Sequence, residues 1–242
     1  MNIFIAGATG ATGRLLAEQL LEREHSVKAI VRSTERVPAH IRNHANLTLI
    51  EASLLDLSDA ELAQHVNDCD AVASCLGHNL TFKGVFGHPR KLVTDATRRL
   101  CAAIKANNAA QQTKFVLMNT TGNHNPDVDA PISFAEKRTV GLIRLLLPPH
   151  SDNEQAAAHL KEQIGLHDKH IAWTIVRPDG LIDEETVTPY DVHPAPIRSA
   201  IFDAGKTSRI NVAHFMADLM TDDPVWHQWA GQMPVIYNRA SN

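Results

Sequence analysis

The sequence predicts an α/β fold with a doubly wound parallel sheet and a small C-terminal lobe, and two observations support this. Along the 242-residue chain, short apolar runs rich in branched residues alternate with segments of helical periodicity. This alternation is typical of parallel strands joined by crossover helices. The first apolar run, residues 2–6, is followed at once by the glycine-rich sequence GATGATG and then by an amphipathic segment. We therefore expect residues 1–242 to form a single domain, in which residues 178–242 supply most of the small lobe.

The predicted strands are short, apolar and uninterrupted, as expected for strands that helices cover on both faces. They comprise residues 2–6, 27–31, 47–50, 71–75, 114–118, 172–176 and 234–237. The predicted helices lie between them, at residues 13–24, 58–67, 89–107, 152–165 and 211–221. In the second of these helices, Ser58 and Glu61 form the capping-box pattern that marks a helix N-terminus.

The composition excludes several classes of protein. The net charge is −4 and no strongly basic run occurs, so we expect no nucleic-acid partner and no membrane partner. The three cysteines form no CxxC pair and are odd in number, which predicts a reduced protein without a disulfide framework. The first predicted strand begins at Asn2 and leaves no room for a signal peptide, so a cytoplasmic location is expected. Histidine pairs at positions 40 and 44 and at 167 and 170 lack a third ligand, so no metal site is predicted.

The three glycines of GATGATG stand at three-residue spacing between a strand and a helix. The first N–H groups of a helix have no partner within it and carry a partial positive charge, so this turn binds phosphate where side chains are absent. We expect Gly7 to permit the tight turn, Gly10 to admit the backbone close to a pyrophosphate, and Gly13 to let the helix pack against the strand. The turn thus predicts a dinucleotide-binding Rossmann fold.

The end of the second strand distinguishes between the two nicotinamide cofactors. An acidic residue there holds the ribose hydroxyls of NAD, whereas an arginine accepts the 2′-phosphate of NADP. The sequence is VRSTER, in which Arg32 and Ser33 precede any carboxylate. A guanidinium offers a planar fork suited to phosphate, so NADP(H) is predicted over NAD(H). The alternative is that Arg32 is simply a solvated residue at a strand end.

Three stretches of the sequence resemble one family. GATGATGR is similar to the glycine loop of the short-chain dehydrogenase/reductase superfamily, with the spacing GxxGxxG rather than the GxGxxG of most Rossmann dehydrogenases. WTIVRP at 173–178 and SRINVAHFMADL at 208–219 are most similar to its atypical, NmrA-like and flavin-reductase-like branch. The resemblance covers most of the chain, and its specific parts are the glycine loop and WTIVRP.

This resemblance implies a set of cofactor-binding residues. In related proteins, Leu55 and Asp56 border the adenine, and Leu76 and Gly77 pass under the adjoining ribose. The residues expected to bind cofactor are Gly7, Thr9, Gly10, Ala11, Thr12, Gly13, Arg32, Ser33, Leu55, Asp56, Cys75, Leu76, Gly77 and Asn119.

The sequence lacks the catalytic pair of the best-known members of the superfamily. Those enzymes use a tyrosine four residues before a lysine, and the tyrosine exchanges a proton with the substrate oxygen. The two tyrosines here, Tyr190 and Tyr237, have no lysine at the fourth following position and lie after the sixth strand. Ordinary carbonyl–alcohol dehydrogenation is therefore disfavoured. A sugar-nucleotide epimerase is disfavoured too, because those relatives keep the tyrosine.

Three other residues are candidates for catalysis. The family often has a hydroxyl at the end of the fifth strand that polarises a substrate carbonyl, and Thr120 or Thr121 would fill this role. The alternative is that they cap the strand or bind cofactor. His150 suits proton transfer near neutral pH, although a chain with 14 histidines has one near a cleft by chance. Ser151 or Asp152 is predicted to cap the helix that follows.

Two features near the expected ligand edge leave alternatives open. Residues 78–89 form either a flap over the nicotinamide or a loop anchored by two buried phenylalanines. Arg177 either meets an anionic substrate or packs its stem beneath the sheet. Three further candidates for a proton donor lie after the sixth strand: Asp179, Tyr190 and His193.

The sequence predicts an enzyme, an NADP(H)-dependent oxidoreductase of the atypical short-chain type. Hydride transfer to a conjugated acceptor such as a flavin or a quinone needs no tyrosine, because solvent can supply the proton. The expected partner is then a small-molecule acceptor, for example an aromatic one. The rival hypothesis is a non-catalytic, NmrA-like redox sensor that binds the dinucleotide and acts on a protein partner.

Overall fold

The computed structural model describes residues 1–78, 89–130, 148–200 and 202–239. The strands of these residues are β1 (Asn2–Ala6), β2 (Ser26–Val31), β3 (Leu47–Glu51), β4 (Ala71–Ser74), β5 (Thr113–Met118), β6 (Ile171–Pro178), β7 (Gly180–Ile182), β8 (Tyr190–His193), β9 (Lys206–Ser208) and β10 (Val235–Asn238). The helices are α1 (Ala11–Glu22), α2 (Ala39–Arg42), α3 (Asp59–Val66), α4 (Leu92–Asn107), α5 (Pro148–Ala158), α6 (Arg209–Thr221) and α7 (Asp223–Trp229). A 3-10 turn spans Thr34–Arg36, and a π-helical segment, His159–Ile164, continues α5.

The main sheet has the strand order β3-β2-β1-β4-β5-β6-β10-β8. Its pairs are parallel except for the last, in which β8 runs antiparallel to β10. The chain proceeds outward from β1 to β3 and then returns to place β4 on the other side of β1. Such a reversal opens a crevice at the carboxyl ends of the strands, where α/β proteins bind ligands. The topology therefore locates the site between β1 and β4.

Helices cover both faces of this sheet, as the sequence predicts. Alternate residues of a strand point to opposite faces, so Ile3 and Ile5 face one hydrophobic core and Phe4 and Ala6 face the other. The first core also contains buried residues of α1, α6 and α7, and the second contains buried residues of α3, α4 and α5. The predicted doubly wound α/β fold is confirmed.

The sequence predicts that residues 178–242 form most of a small lobe. The residues after 178 contribute both to the main sheet and to a second, smaller sheet. Strands β10 and β8 extend the main sheet, and α6 joins its first core. Strands β7 and β9 form a separate two-stranded sheet. Among the described residues, no helix combines the length and the apolar character that crossing a bilayer requires.

Most predicted elements match the structure within a few residues, and the capping box of Ser58 and Glu61 is present at the start of α3. The prediction for α5 is wrong at its start. The helix begins at Pro148, so Ser151 and Asp152 lie inside it and neither is its N-cap. The Asp152 carboxylate instead accepts N–H groups in the first turn of α4.

Candidate cofactor site

The glycine turn between β1 and α1 has the backbone geometry that its sequence predicts. Gly7 has a φ of +90°, a conformation that side chains disfavour, and a Cβ there would lie 2.8 Å from the carbonyl carbon and oxygen of Cys75. The N–H of Gly10 donates to the carbonyl of Gly7 at 2.9 Å and closes the turn. Gly7 is therefore required both for the turn and for the close passage of β4.

Gly13 lets α1 approach this turn. A Cβ at position 13 would lie 2.2 Å from the carbonyl oxygen of Gly7, which is far inside van der Waals contact. Gly10 is the N-cap of α1 and supplies no side-chain cap to the first N–H groups of the helix. These N–H groups are the donors that a pyrophosphate group would use. The backbone present thus fits a dinucleotide.

A cleft of about 200 Å³ lies beside the turn, at the carboxyl ends of β1, β2, β3 and β4. Eight of the predicted cofactor residues line it: Gly7, Thr9, Gly10, Arg32, Leu55, Cys75, Leu76 and Gly77. Sequence reasoning missed eight others: Ile30, Val31, Arg36, Ala52, Ser53, Leu54, Pro89 and Leu92. The cleft therefore has an apolar floor and polar groups at one end.

Six predicted cofactor residues do not line this cleft. Ala11, Thr12 and Gly13 lie in the first turn of α1, and Thr12 is buried. Ser33 follows Arg32 as the N-cap of the 3-10 turn. Asp56 is exposed on the turn that brings Leu54 and Leu55 to the cleft. Asn119 is buried at the end of β5, where its Nδ2 donates to the carbonyl of Asn153 at 2.9 Å.

Two arginines give the cleft its positive end. Arg32 and Arg36 are exposed, and within the described part of the chain neither guanidinium makes a hydrogen bond or an ion pair. Glu51, at the end of neighbouring β3, is held by the N–H and hydroxyl of Thr34, at 3.2 and 2.8 Å from its Oε2. The cleft thus presents two uncompensated cations to an anionic group.

The candidate catalytic threonines point in different directions. Thr121 is buried and its hydroxyl donates to Oδ1 of Asp179 at 3.0 Å. The Oγ1 of Thr120 accepts the N–H of Gly122 at 3.2 Å. Thr121 therefore connects the ends of β5 and β6, while Thr120 shapes the loop after β5.

His150, the third candidate for catalysis, lies in α5 and close to Gly122 in the loop after β5. A Cβ built on Gly122 would be 3.3 Å from Cε1 of His150 and 3.7 Å from Oγ1 of Thr120, so this glycine separates the two side chains. Nε2 of His150 is 3.2 Å from Oε1 of Glu154, within ion-pair distance but without the geometry of a hydrogen bond. Thr120 and His150 therefore both lie near Gly122, whereas the Thr121 hydroxyl is bound to Asp179.

Arg177 is not available to a substrate. It is fully buried, and its guanidinium forms a bidentate pair with Asp129 at 2.6 and 2.9 Å. The same side chain donates to the carbonyls of Met233 at 2.7 Å and Asn123 at 3.0 Å. Of the two readings of Arg177, the structure favours a role inside the protein.

The side chains of the three C-terminal candidates for a proton donor also contact other groups of the protein. Burial raises the pKa of the Asp179 carboxyl, and its Oδ2 accepts the N–H of Gly205 at 2.7 Å. Burial, followed by the nearby Asp218, raises the pKa of Tyr190, whose hydroxyl lies 2.9 Å from Nδ1 of His214. His193 packs its ring against Tyr237. Of the predicted flap, residues 79–88 lie outside the described residues.

The comparison with known families decides the assignment. A family model described as NAD(P)H-binding matches residues 7–223. The chain belongs to this NAD(P)H-binding family. The match begins at Gly7, the first residue of the glycine turn, and includes every residue that lines the cleft.

Solved structures with the same fold come from several bacteria. An oxidoreductase of Lactococcus lactis is 19% identical, with a TM-score of 0.70 over 100% of this chain and 92% of that chain. A short-chain dehydrogenase/reductase of Veillonella parvula in complex with NADP is 19% identical, with a TM-score of 0.69 over 99% of this chain and 95% of that one. A candidate NADH-flavin reductase of Streptococcus pneumoniae is 18% identical, with a TM-score of 0.65 over 99% and 100%. At these identities the likeness confirms the fold.

Among curated proteins, an uncharacterized chloroplastic protein of Arabidopsis thaliana is 36% identical over 74 residues. The aligned stretch is 31% of this chain and spans about a quarter of that protein, 26%.

Proposed function

We propose that this protein is an NADP(H)-dependent oxidoreductase that transfers hydride to a conjugated acceptor such as a flavin or a quinone. The observation that carries the proposal is the pair of exposed guanidiniums of Arg32 and Arg36 beside the glycine turn, which have no partner among the residues that the structure describes. The bound dinucleotide would supply the hydride. The chain itself supplies a phosphate-binding turn, an apolar floor and a positive end to the cleft.

The preference for NADP(H) follows from the charges at the end of β2. A 2′-phosphate carries charge that two guanidiniums can bind through charge-assisted hydrogen bonds. NAD lacks this phosphate, and its ribose hydroxyls are usually held by a carboxylate at this position. Glu51 is tied to Thr34 instead. The cleft therefore suits the phosphorylated cofactor.

The polar groups at the ends of β5 and β6 are the reason for proposing a conjugated acceptor. No tyrosine is followed by a lysine at the fourth position, and the Tyr190 hydroxyl is held by His214. A flavin or quinone takes hydride onto a conjugated ring, and solvent can then supply the proton. Thr120 and His150 are the polar side chains that would face such an acceptor.

One observation favours the second candidate, a redox sensor that binds the dinucleotide without turnover. Near the ends of β5 and β6, the side chains of Thr121 and Arg177 are each held by a carboxylate of the protein. A sensor needs such a framework and no proton donor.

The first experiment is a fluorescence titration of the protein with NADPH and with NADH. We expect Arg32→Ala and Arg36→Ala each to weaken NADPH binding about tenfold, the cost of losing one charge-assisted hydrogen bond, and to leave NADH binding unchanged. Arg98→Ala, which removes an exposed arginine of α4 that does not line the cleft, serves as the matched control. An equal loss for both nucleotides would contradict the assigned role of the arginines.

Addition of FMN or a simple quinone to the NADPH complex then separates the two candidates. Oxidation of the bound nucleotide supports the reductase. Tight binding without oxidation by any acceptor supports the sensor. If neither nucleotide binds, both candidates are wrong.

A further inference from the structure

The buried carboxylate of Asp152 joins two segments of the chain that lie beside the cleft. Its Oδ2 accepts the N–H of Val93 at 2.8 Å and lies 2.8 Å from Nε2 of His78, and its Oδ1 accepts the N–H of Thr94 at 2.9 Å. The hydroxyl of Thr94 donates to the backbone carbonyl of Asp152 at 2.9 Å. One carboxylate thus holds both His78, in the segment after β4, and the beginning of α4.

The two segments that Asp152 holds continue directly into the wall of the cleft. His78 follows Leu76 and Gly77, which line the cleft, and Val93 follows Leu92, which also lines it. Asp152 itself lies outside the cleft, on α5. Its contacts therefore set the relative position of two wall segments without touching a ligand.

The burial of the Asp152 carboxylate makes its hydrogen bonds to these two segments costly to break. The Asp152 side chain is 1% exposed, and a carboxylate removed from water is tolerated only with strong donors around it. Two of its donors are N–H groups in the first turn of a 16-residue helix, where the helix dipole favours negative charge. His78, 5% exposed, completes the set of donors.

The same turn of α5 also reaches the end of β5. The Nδ2 of Asn119 donates to the carbonyl of Asn153, and His150 lies beside Thr120 across Gly122. Helix α5 thus contacts the segments after β4 and β5 and the start of α4. These three segments lie on the carboxyl edge of the sheet, where the cofactor and the acceptor are expected.

We propose that Asp152 is a positioning residue of the dinucleotide cleft, which fixes the wall formed by Leu76, Gly77 and Leu92 through His78 and the N-terminus of α4. This inference rests on the proposed function, because it concerns affinity for the dinucleotide. Loss of the carboxylate leaves two buried N–H groups with poorer partners and removes one contact of His78, so the wall no longer holds the geometry that the nucleotide needs.

The test compares Asp152→Asn with Asp168→Asn. Asp168 is a matched control: its carboxylate accepts the N–H groups of His170 and Ile171, at 2.9 and 3.1 Å, and pairs with Lys105 at 2.6 Å. It lies at the amino end of β6, on the edge of the sheet opposite the cleft. Both changes replace a carboxylate that binds two backbone N–H groups and one side chain by a neutral amide with a single acceptor oxygen, but only Asp152 binds the segments that continue into the wall.

We expect both variants to unfold at a lower temperature and only Asp152→Asn to bind NADPH more weakly, by about tenfold. If an acceptor oxidises NADPH in the wild type, the KM for NADPH should rise in this variant while kcat at saturation is retained. A merely structural role would lower the unfolding temperature in both variants without separating their affinities.

Should Asp152→Asn fail to fold, His78→Ala provides the second variant, since it leaves the two N–H groups of α4 bound to Asp152. Weaker NADPH binding by His78→Ala supports the proposal. Folded variants at both positions with wild-type affinity overturn it. A wild type that binds neither NADPH nor NADH overturns the proposed function as well, so the two failures are distinguishable.

Discussion

Arg32 and Arg177 both stand where a strand reaches the carboxyl edge of the same sheet, and their surroundings differ. Arg32 follows β2, is exposed and has no hydrogen-bonding partner among the described residues. Arg177 lies in β6, has no exposed surface and donates to Asp129 and to backbone carbonyls. The positive charge of the first is open to a ligand, and that of the second is neutralised by the protein.

This difference extends to the two halves of the carboxyl edge. Around β1 and β2, the first N–H groups of α1 have no side-chain cap, and two guanidiniums are unpaired. Around β5 and β6, buried polar side chains such as Thr121 and Arg177 have partners within the chain. The uncapped N–H groups and the two guanidiniums are available to bind a ligand, whereas Thr121 and Arg177 belong to the framework of the fold.

The largest expected effect is on stability, and it arises in the half of the edge around β5 and β6. Arg177→Met should lower the free energy of unfolding by about 3–5 kcal/mol, because it leaves the buried carboxylate of Asp129 without its partner. Arg32→Met, which removes the same charge from the exposed position, should change stability by no more than about 0.5 kcal/mol. Urea unfolding followed by circular dichroism measures both, and similar values for the two variants would contradict the comparison.

A smaller effect on stability is expected in the half of the edge that contains the cleft. Gly13→Ala places a Cβ 2.2 Å from the carbonyl oxygen of Gly7 and should cost about 1–3 kcal/mol of stability, because backbone must move to accept it. Gly77 also belongs to the cleft, yet among the described residues nothing lies within 4 Å of a Cβ there. Gly77→Ala should therefore be nearly neutral in the same unfolding experiment. A stable Gly13→Ala protein would show that α1 can move away from the turn.

The smallest effect concerns the cysteines, none of which we expect to be reactive. Burial raises the pKa of the Cys75 thiol to about 12, that of Cys101 to about 12 and that of Cys69 to about 11. Since the thiolate is the reactive form, alkylation at pH 8 should be much slower in the folded protein than in denaturant, where a thiol has a pKa of about 8.5. Rapid labelling of Cys75 in the folded state would show that the wall of the cleft opens near the end of β4.

The parts of the molecule that the sequence predicts well are those specified by neighbouring residues. Buried parallel strands read as continuous apolar runs, so β1 to β6 were found with small errors at their ends. The capping box of Ser58 and Glu61 lies within one turn, and so does the steric role of Gly7 and Gly13. Local patterns of this kind need no knowledge of the rest of the fold.

The features that the sequence does not predict depend on distant partners. The sequence pattern predicts Asp152 as a cap for its own helix, but its carboxylate binds the first turn of α4, which begins 60 residues earlier in the chain. Arg177 finds Asp129, 48 residues away, on a loop without a recognisable pattern. Arg36 reaches the cleft because a short 3-10 turn follows β2, and nothing in the sequence VRSTER indicates that turn.

Arg177 also makes completion of the fold depend on residues near the end of the chain. Its Nε needs the carbonyl of Met233, and its backbone N–H needs the carbonyl of Pro234. A nascent chain that ends before these residues would have to bury a cation with part of its hydrogen-bonding capacity unmet, which is costly. The residues that line the cleft all lie between Gly7 and Leu92, but α1 beside them packs in one core with α6 and α7, so the cleft side also depends on the C-terminal helices.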